Sequence, residues 1–353
     1  MTGIRLVANE RQFNHEMLSL ARKVQGLTQT DLHQKTGISQ AHLSKIEQGI
    51  QLPTDEHLEQ LSSALGFPVN FFFQNNRCLP PITPFHRKRT ALGKKSQEQA
   101  EAIANLKRIH LEKLLTEFEA ERMIPKLELD EFGTPEKIAQ VVRSYFMLPR
   151  GPIDNLVALL ENYGVFIFLE NFSSMQLAGF TLIGDGTTPI MFINKNAPGD
   201  MERLTIGHEL GHLIMHIIIT ENVENEAWKF ATEFLMPKAD IIPDLRKARR
   251  IVDYADLKRK WKISMAALIR RAHELKIITD TQYRYLMQGM ASYRVKEPVQ
   301  TSQEIPTLFD ELMSKYKNEY TYSPGELTQI LNIHKAMFDD LYTKNTNGIK
   351  IVK

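Results

Sequence analysis

The run Ile206-Gly-His-Glu-Leu-Gly-His-Leu-Ile-Met-His216 decides how the second half of this chain is interpreted. On a helix, His208 and His212 project from the same face one turn apart, so both imidazoles can bind one metal ion. Glu209 lies close enough to contact a water on that metal without binding the metal itself. This arrangement is typical of a zinc hydrolase, in which metal and carboxylate together activate water near neutral pH.

Two histidines on an apolar helix can also be core residues with ordinary hydrogen-bond partners. The apolar residues of this helix are Leu204, Ile206, Leu210, Leu213, Ile214 and Ile217. They predict that the helix is buried. Burying two imidazoles and a carboxylate without a partner is costly, and a metal ion supplies that partner. The pattern therefore favours a metal site over a pair of core histidines.

A catalytic zinc site needs a third protein ligand and an open position for water. The next predicted helix has an apolar stripe formed by Ala227, Phe230, Ala231 and Phe234. Glu226 lies one turn before Phe230, so we expect its carboxylate to point toward the core and the metal. Glu233 lies on the same side two turns on, and Glu224 can lie outside the helix. The residues alone favour Glu226 and leave the other two open.

Length and composition are those of an ordinary soluble protein with two or three domains. The chain has 353 residues, of which 42% are hydrophobic and 24% are charged, and its net charge is only +2. Overall charge therefore does not indicate a nucleic-acid partner. Cys78 is the only cysteine, so an intrachain disulfide is impossible and a reducing compartment is expected. With no signal-peptide pattern and no membrane-spanning run, we expect a cytoplasmic protein without a membrane partner.

Residues 11–74 have the pattern of several short helices. Thr28 and Ser39 are expected to cap two of them, with Gly37 in the tight turn between. Leu32, Ile38, Leu43 and Ile46 would form the inner face, and the outward residues are Gln29, Gln40, Ala41, His42, Ser44 and Lys45. Such helices can form a plain bundle. The outward glutamines and lysine instead suit contacts with base edges and phosphates.

The segment Leu27–Gly49 matches the pattern Leu-Thr-Gln-x-x-Leu…Gly-Ile-Ser-Gln-x-x-Leu-Ser-x-Ile-Glu-x-Gly. It resembles the helix-turn-helix of the XRE (lambda-repressor-like) family, and the resemblance covers about 60 residues. His33 departs from the small residue usual at its position. The resemblance implies a double-stranded DNA operator. It also implies base contacts from Gln40, Ala41 and Lys45, with Gln29 and Ser39 near the phosphate backbone.

The region after this module is basic and then helical in pattern. Residues 75–115 contain many more basic than acidic side chains, whereas residues 1–74 do not. The basic stretch is either a solvated linker or an additional DNA contact. Residues 97–122 read as one long amphipathic helix, which either supports dimerisation or packs on the next domain. Because repressors of this kind read two half-sites, we expect a homodimer.

From Thr134 onward the pattern changes to that of a mixed domain. Two helices, to Phe146 and over Ile153–Tyr163, precede strand-like runs at Val165–Leu169, Gly179–Ile183 and Ile190–Ile193. Gly184-Asp-Gly186 is a turn between the last two strands. Two helices, a small sheet and then the metal helix is the order expected of a zincin.

Several motifs of this domain resemble those of the ImmA/IrrE metallopeptidases, over roughly residues 140–290. They are Asn194-Lys-Asn-Ala-Pro-Gly-Asp200, His208–His216, Glu226-Ala-Trp-Lys-Phe-Ala231, Phe-Leu-Met-Pro237 and Ser264–Ala272. The resemblance implies that Glu226 is the third zinc ligand and that Glu209 is the general base. Trp228 replaces the Asn or Asp often present there. We expect a structural role for His216 and treat His273 as a candidate to stabilise an oxyanion.

The predicted protein is multidomain and mainly α with a small β-sheet. Residues 1–78 form an all-α helix-turn-helix domain, and 79–130 form a basic linker and connecting helix. Residues 131–290 form an α+β zincin-like metallopeptidase domain, and 291–353 form a helical C-terminal tail.

This organisation indicates a transcriptional regulator whose zinc-dependent endopeptidase domain cleaves itself or a partner regulator to relieve repression. The alternative is a repressor or antitoxin-like DNA-binding protein whose zincin domain senses a signal without proteolysis. Replacing Glu209 separates the two hypotheses, because only the first requires a general base.

Overall fold

A computed structural model describes residues 12–81, 93–116, 118, 124–172, 177–183, 188–216, 222–293 and 297–343. These residues divide into two units. The first unit lies within Met1–Pro80, Arg89–Phe118 and Met313–Lys353, and the second within Pro81–Lys88 and Glu119–Leu312. The basic run Arg87-Lys-Arg89 and the turn Gly184-Asp-Gly186 lie outside the described residues.

The N-terminal part of the first unit is built from short helices. They are α1 (His15–Val24), α2 (Gln29–Thr36), α3 (Gln40–Glu47), α4 (Asp55–Leu65) and a 3-10 helix, Val69–Phe73. The side chains of Thr28 and Ser39 accept backbone N–H groups at the starts of α2 and α3. Gly37 ends α2 with φ of 76°, a left-handed conformation that glycine adopts without strain. Both predicted caps and the predicted turn are therefore confirmed.

The core between α2 and α3 is also as predicted. Leu32, Ile38, Leu43 and Ile46 are all buried. An ion pair ties α1 to α3, since Arg22 Nε lies 2.5 Å from Glu47 Oε1 and the second guanidinium nitrogen lies 2.8 Å from Glu47 Oε2. Arg22 also donates to the carbonyl of Leu27, so the same side chain holds the start of α2.

The long helix of the first unit differs from the sequence prediction. Helix α5 spans Lys94–Leu115, so it starts three residues before the predicted range 97–122, of which residues 117 and 119–122 lie outside the described residues. Most of its side chains between Gln99 and Leu111 are buried, including the polar Asn105 and Arg108. Asn105 is satisfied by the backbone of Leu79 on both its donor and acceptor sides. A helix buried around most of its circumference is a core helix, so an amphipathic interpretation was too simple.

The C-terminal tail is helical, as predicted. It contains α15 (Leu308–Asn318), α16 (Pro324–Leu331), α17 (Lys335–Phe338) and a π-helical turn, Asp339–Thr343. Asn332 adopts φ of 54° and ends α16. The part of the tail in the first unit packs on α5, where Tyr316 Oη donates to the carbonyl of Leu114 at 2.7 Å.

The second unit begins with helices and a small sheet. Its first elements are α6 (Leu129–Phe132), α7 (Pro135–Tyr145), α8 (Leu156–Asn162), β1 (Phe166–Glu170), β2 (Gly179–Ile183) and β3 (Pro189–Asn194). The strand order is β1-β3-β2, with β1 parallel and β2 antiparallel to β3. The three predicted strands are confirmed with shifts of one residue at some ends.

Seven further helices complete the description of the second unit up to the tail. They are α9 (Gly199–Met215), α10 (Val223–Leu235), α11 (Lys238–Leu245), α12 (Ile251–Trp261), α13 (Met265–Glu274), α14 (Asp280–Gly289) and a 3-10 turn, Met290–Tyr293. Within the described residues, none of the helices combines the length and apolarity needed to cross a bilayer. The predicted fold class, mainly α with a small sheet, is confirmed.

Helix α9 is buried along nearly its whole length, and two glycines let α10 approach it closely. A methyl group at Gly211 would lie 3.1 Å from Phe230 Cδ1 and 3.2 Å from Ala227 Cα. At Gly207 it would lie 3.1 Å from Leu235 Cδ1. Contacts this short leave little room for a Cβ. Gly207 and Gly211, before and between the histidines, therefore allow close packing of α9 on the part of α10 from Ala227 to Leu235.

Candidate metal centre and DNA-contact surface

The two predicted metal-binding histidines meet as the helical spacing requires. His208 Nε2 and His212 Nε2 lie 3.0 Å apart, with the rings edge to face. His212 is fully buried and His208 is nearly so. Both Nε2 atoms therefore point at one place beside α9.

The carboxylate that reaches this place is Glu224, in the first turn of α10. Its Oε1 lies 3.3 Å from His212 Nε2 and its Oε2 lies 3.5 Å from His208 Nε2. Within the described residues, His208, His212 and Glu224 are the group whose ligand atoms converge closely enough to hold a metal. The adjacent imidazoles hold the pKa of the Glu224 carboxyl well below its usual range, so it is ionised, as a metal ligand must be.

These three donor atoms fit a tetrahedral metal ion. Bonds of about 2.0–2.2 Å to imidazole nitrogen and carboxylate oxygen would separate the donors by about 3.3–3.6 Å. His212 Nε2 lies 3.3 Å from Glu224 Oε1 and His208 Nε2 lies 3.5 Å from Glu224 Oε2, both within this range. The two Nε2 atoms lie 3.0 Å apart, slightly closer than the range. Two nitrogens and one oxygen are also the donor set of many catalytic zinc sites. The residues present therefore fit zinc after a small outward shift of the two imidazoles.

Glu226, the third ligand predicted from the sequence, has a different partner. Its Oε2 lies 3.1 Å from His216 Nε2. Residues two apart on a helix project about 200° from each other, so Glu224 and Glu226 cannot serve the same point. Because α10 starts at Val223, Glu224 lies inside the helix and not before it. In the structure, Glu224 lies beside the two imidazoles, where Glu226 was expected, and Glu226 lies beside His216.

The other candidates of the sequence analysis lie in different environments. Glu233 forms a buried ion pair with Arg271 and accepts from Gln140 at 2.9 Å. His273 lies 2.6 Å from Asp280 Oδ1, on an exposed part of α13. Glu233 and His273 therefore make structural contacts away from His208 and His212.

Glu209 is held in place by the sheet. Its Oε2 accepts a hydrogen bond of 2.9 Å from Thr181 Oγ1 on β2. Both side chains are buried. The carboxylate is therefore held against the edge strand of the sheet, on the helix that carries His208 and His212.

His216 continues the row of histidines beyond the end of α9. Its Nδ1 lies 2.8 Å from His212 Nδ1, and its backbone leaves the helical conformation with ψ of 85°. Burial, followed by repulsion from His212 and His208, lowers the pKa of His216 to about 4. The imidazole is therefore neutral at pH 7.

The predicted DNA-contact residues lie on the first unit. On α3, Gln40, Ala41 and Lys45 are exposed, and Ser39 Oγ accepts the backbone N–H of His42 at 3.3 Å. Gln29 is half-buried, and its Nε2 donates to Glu47 Oε2 at 2.9 Å. The α3 residues can reach another molecule as they stand, whereas the Gln29 amide is already engaged.

Comparison with protein-family models gives two matches. Residues 160–273 match the peptidase M78 family, described as the IrrE N-terminal-like domain. Residues 18–72 match a helix-turn-helix family. The chain therefore joins a helix-turn-helix domain to an IrrE-like domain. This is the predicted combination, and a search of curated proteins finds no match.

Three contacts in the IrrE-like domain were missed by the sequence analysis. The role of Glu224 was obscured by uncertainty about where α10 begins. Thr181 is an ordinary strand residue with no spacing signal. Trp228 was noted as a substitution, and its ring lies against that of His208 with centroids 4.2 Å apart. Trp228 is 45% exposed, so it lies between His208 and solvent.

Proposed function

We propose that this chain is a DNA-binding transcriptional regulator whose IrrE-like domain is a zinc-dependent endopeptidase. The helix-turn-helix domain indicates DNA binding and the IrrE-like domain indicates a metallopeptidase. The finer proposal is that peptide cleavage by the second domain relieves repression by the first.

In the proposed site, His208, His212 and Glu224 hold the metal. Zinc bound there would polarise a peptide carbonyl and make water acidic enough to lose a proton near neutral pH. Glu209 accepts that proton and passes it to the leaving amine. Thr181 keeps the Glu209 carboxylate oriented through its hydrogen bond. The closely packed α9 and α10 hold the donors in place, so little reorganisation is needed.

The observation that carries this proposal is the convergence of three donor atoms beside Glu209. The donors are 3.0–3.5 Å apart, and the general base follows the first ligand directly in the chain. The resemblance-based choice of Glu226 as third ligand is the competing assignment within the same function. Glu224→Gln and Glu226→Gln separate them, because only the true ligand is needed for full metal occupancy.

For the first domain we propose the DNA contacts expected from the XRE resemblance. Gln40, Ala41 and Lys45 read bases from the exposed face of α3, while Ser39 and Gln29 lie near phosphates. Two copies of the chain bind an operator with two half-sites as a homodimer. We further propose that the protein acts in the cytoplasm, where DNA and a protein substrate are both accessible.

The test is a cleavage assay with purified full-length chain and Glu209→Gln. We expect the wild type to contain about one zinc ion. We expect Glu209→Gln to keep zinc and operator binding but to lose roughly 10²–10⁴-fold in cleavage rate. Glu131→Gln, an exposed carboxylate of α6, is the matched control and should behave as wild type.

The same variant distinguishes cleavage within one chain from cleavage of another. Glu209→Gln chains labelled at the N-terminus are mixed with unlabelled wild type. Labelled fragments indicate cleavage in trans, and fragments of the wild type alone indicate cleavage in cis. If neither the chain nor a partner regulator is cut, the endopeptidase proposal is contradicted.

The second candidate is a signal sensor that binds metal without turnover. The burial of the ligand histidines and of Glu209 favours it, because a closed site suits detection better than access by a polypeptide. A sensor predicts that Glu209→Gln leaves operator release unchanged. An endopeptidase predicts that this variant represses permanently.

A further inference from the structure

We propose that His216 and Glu226 form a positioning chain that holds His212 in the tautomer required for metal binding. The inference rests on the proposed metal site and concerns residues that do not bind the metal themselves. This positioning chain consists of two hydrogen bonds. The first joins His212 Nδ1 and His216 Nδ1, which lie 2.8 Å apart, and the second joins His216 Nε2 and Glu226 Oε2, which lie 3.1 Å apart.

The direction of the hydrogen bonds follows from what each group can donate. An ionised carboxylate only accepts, so His216 Nε2 must carry the hydrogen shared with Glu226. In the tautomer with its hydrogen on Nε2, His216 has a bare Nδ1, which can only accept. The hydrogen between the two Nδ1 atoms therefore belongs to His212.

This direction decides which nitrogen of His212 is left bare. A neutral His212 with its hydrogen on Nδ1 has a lone pair on Nε2. That Nε2 is the atom facing His208 and Glu224 at 3.0 and 3.3 Å. The positioning chain thus directs the Nε2 lone pair of His212 toward the proposed metal, and it also fixes the orientation of the His212 ring.

The local backbone explains how His216 reaches His212. Helix α9 ends at Met215, and His216 leaves the helical conformation with φ of −103° and ψ of 85°. Its ring is buried and tilted by 53° against that of His212. Glu226, one turn into α10, closes the chain from the facing helix.

The other histidine has no equivalent support. His208 Nδ1 is buried and makes no hydrogen bond to any described residue, and its ring instead packs against Trp228. The two proposed ligands are therefore held by different means. Loss of the His216–Glu226 chain should weaken metal binding through His212 alone.

The test measures zinc affinity of the full-length chain by competition with a chromophoric chelator. We expect His216→Phe and Glu226→Gln each to weaken zinc binding by about 10- to 100-fold. We expect His216→Asn, whose amide oxygen can accept from His212 Nδ1, to recover much of the loss. Glu224→Gln, which removes a proposed ligand, should cost more than either.

The double variant His216→Phe/Glu226→Gln separates positioning from direct ligation. If Glu226 acts through His216, removing Glu226 has no further effect once His216 is gone. If Glu226 is itself a ligand, its loss remains large in the His216→Phe background, and the proposal is overturned. Substitution with Co²⁺ adds a spectroscopic check, because the positioning variants should keep the four-coordinate absorption spectrum that Glu224→Gln alters.

Controls make each outcome decisive. Thermal unfolding without metal and operator binding report whether a variant is folded. A wild type that binds no zinc contradicts the proposed function, and the positioning chain with it. A wild type that binds zinc, with His216→Phe and Glu226→Gln variants that bind equally tightly, overturns the positioning chain and leaves the metal site standing.

Discussion

Helices α3 and α9 both carry the polar side chains on which a function is proposed, but in opposite environments. On α3, the three residues expected to contact bases are exposed. On α9, the two proposed ligand histidines and the proposed general base, Glu209, are buried. Contacts for Gln40 and Lys45 are expected from another molecule, whereas the polar side chains of α9 have partners inside the fold, namely Thr181, His216 and Glu224.

The difference determines what each helix tolerates. Exposed polar groups lose little by lacking a partner, because water supplies one. Buried polar groups cost free energy unless they are hydrogen-bonded, paired or bound to a metal. Substitutions on α3 should therefore change binding without changing stability, whereas substitutions around α9 should change both metal binding and stability. The following predictions test that separation in order of expected effect.

The largest effect is expected from His212→Ala. Loss of one of three ligands should weaken zinc binding beyond the roughly 10- to 100-fold expected for an indirectly acting partner, and cleavage should fall to background. Operator affinity should not change, because DNA contacts lie in the other unit. Zinc content after gel filtration and fluorescence anisotropy with operator DNA measure the two effects. A parallel fall in operator affinity would remove the proposed separation.

The second prediction concerns Glu202, a buried carboxyl on α9 that is incompletely paired. Its Oε1 accepts from Glu304 N at 3.2 Å, while Oε2 has no hydrogen-bond partner among the described residues. Burial raises the pKa of Glu202 from 4.5 to about 8. The folded chain thus retains a proton that the unfolded chain loses, so the free energy of unfolding should fall between pH 4.5 and 8.

Glu202→Gln should remove this part of the pH dependence, since the amide does not titrate. We expect the variant to exceed the wild type in unfolding free energy by on the order of 2 kcal/mol at pH 8.5, and by much less at pH 5. Urea unfolding at the two pH values, with metal chelated, measures the difference. Equal pH dependence in both proteins would contradict the assignment.

The third prediction applies to the exposed helix. Gln40→Ala or Lys45→Ala should cost about 1–3 kcal/mol of operator binding. Because both side chains are exposed, the free energy of unfolding should change by less than about 0.5 kcal/mol. Operator titrations and urea unfolding of the same preparations test both parts. A loss of stability comparable to the loss of binding would show that these residues support the fold.

The smallest effect is expected from Thr181→Val, which removes the hydrogen bond to Glu209 and keeps the shape of the side chain. We expect a loss of about 1 kcal/mol in stability and about a tenfold loss of cleavage rate. Thr181→Ser should retain both. If Val and Ser behave alike, the hydroxyl does not orient the general base.

Local patterns predicted much of the fold and part of the site. The capping residues Thr28 and Ser39, the turn at Gly37 and the three strands follow from short-range chemistry. So does the convergence of His208 and His212, because residues four apart on a helix always share a face. Helical spacing likewise predicted the exposure of Gln40, Ala41 and Lys45 on α3, whereas Gln29 is half-buried.

Long-range contacts account for what was not predicted. The choice between Glu224 and Glu226 depended on the start of α10, and helix starts are uncertain by one or two residues. A shift of that size changes which of the two carboxylates is expected to face His208 and His212. Thr181 meets Glu209 only because β2 packs beside α9. Likewise, the burial of Asn105 on α5 depends on the backbone of Leu79, which no helical pattern could reveal.

The central claim is that one metal ion is held by His208, His212 and Glu224. Anomalous diffraction at the zinc edge from crystals of the full-length chain tests it most directly. The account predicts one strong peak about 2.0–2.2 Å from His208 Nε2, His212 Nε2 and a Glu224 oxygen. A peak bound by Glu226 in place of Glu224, or no peak beside α9 in zinc-supplemented crystals, would contradict it.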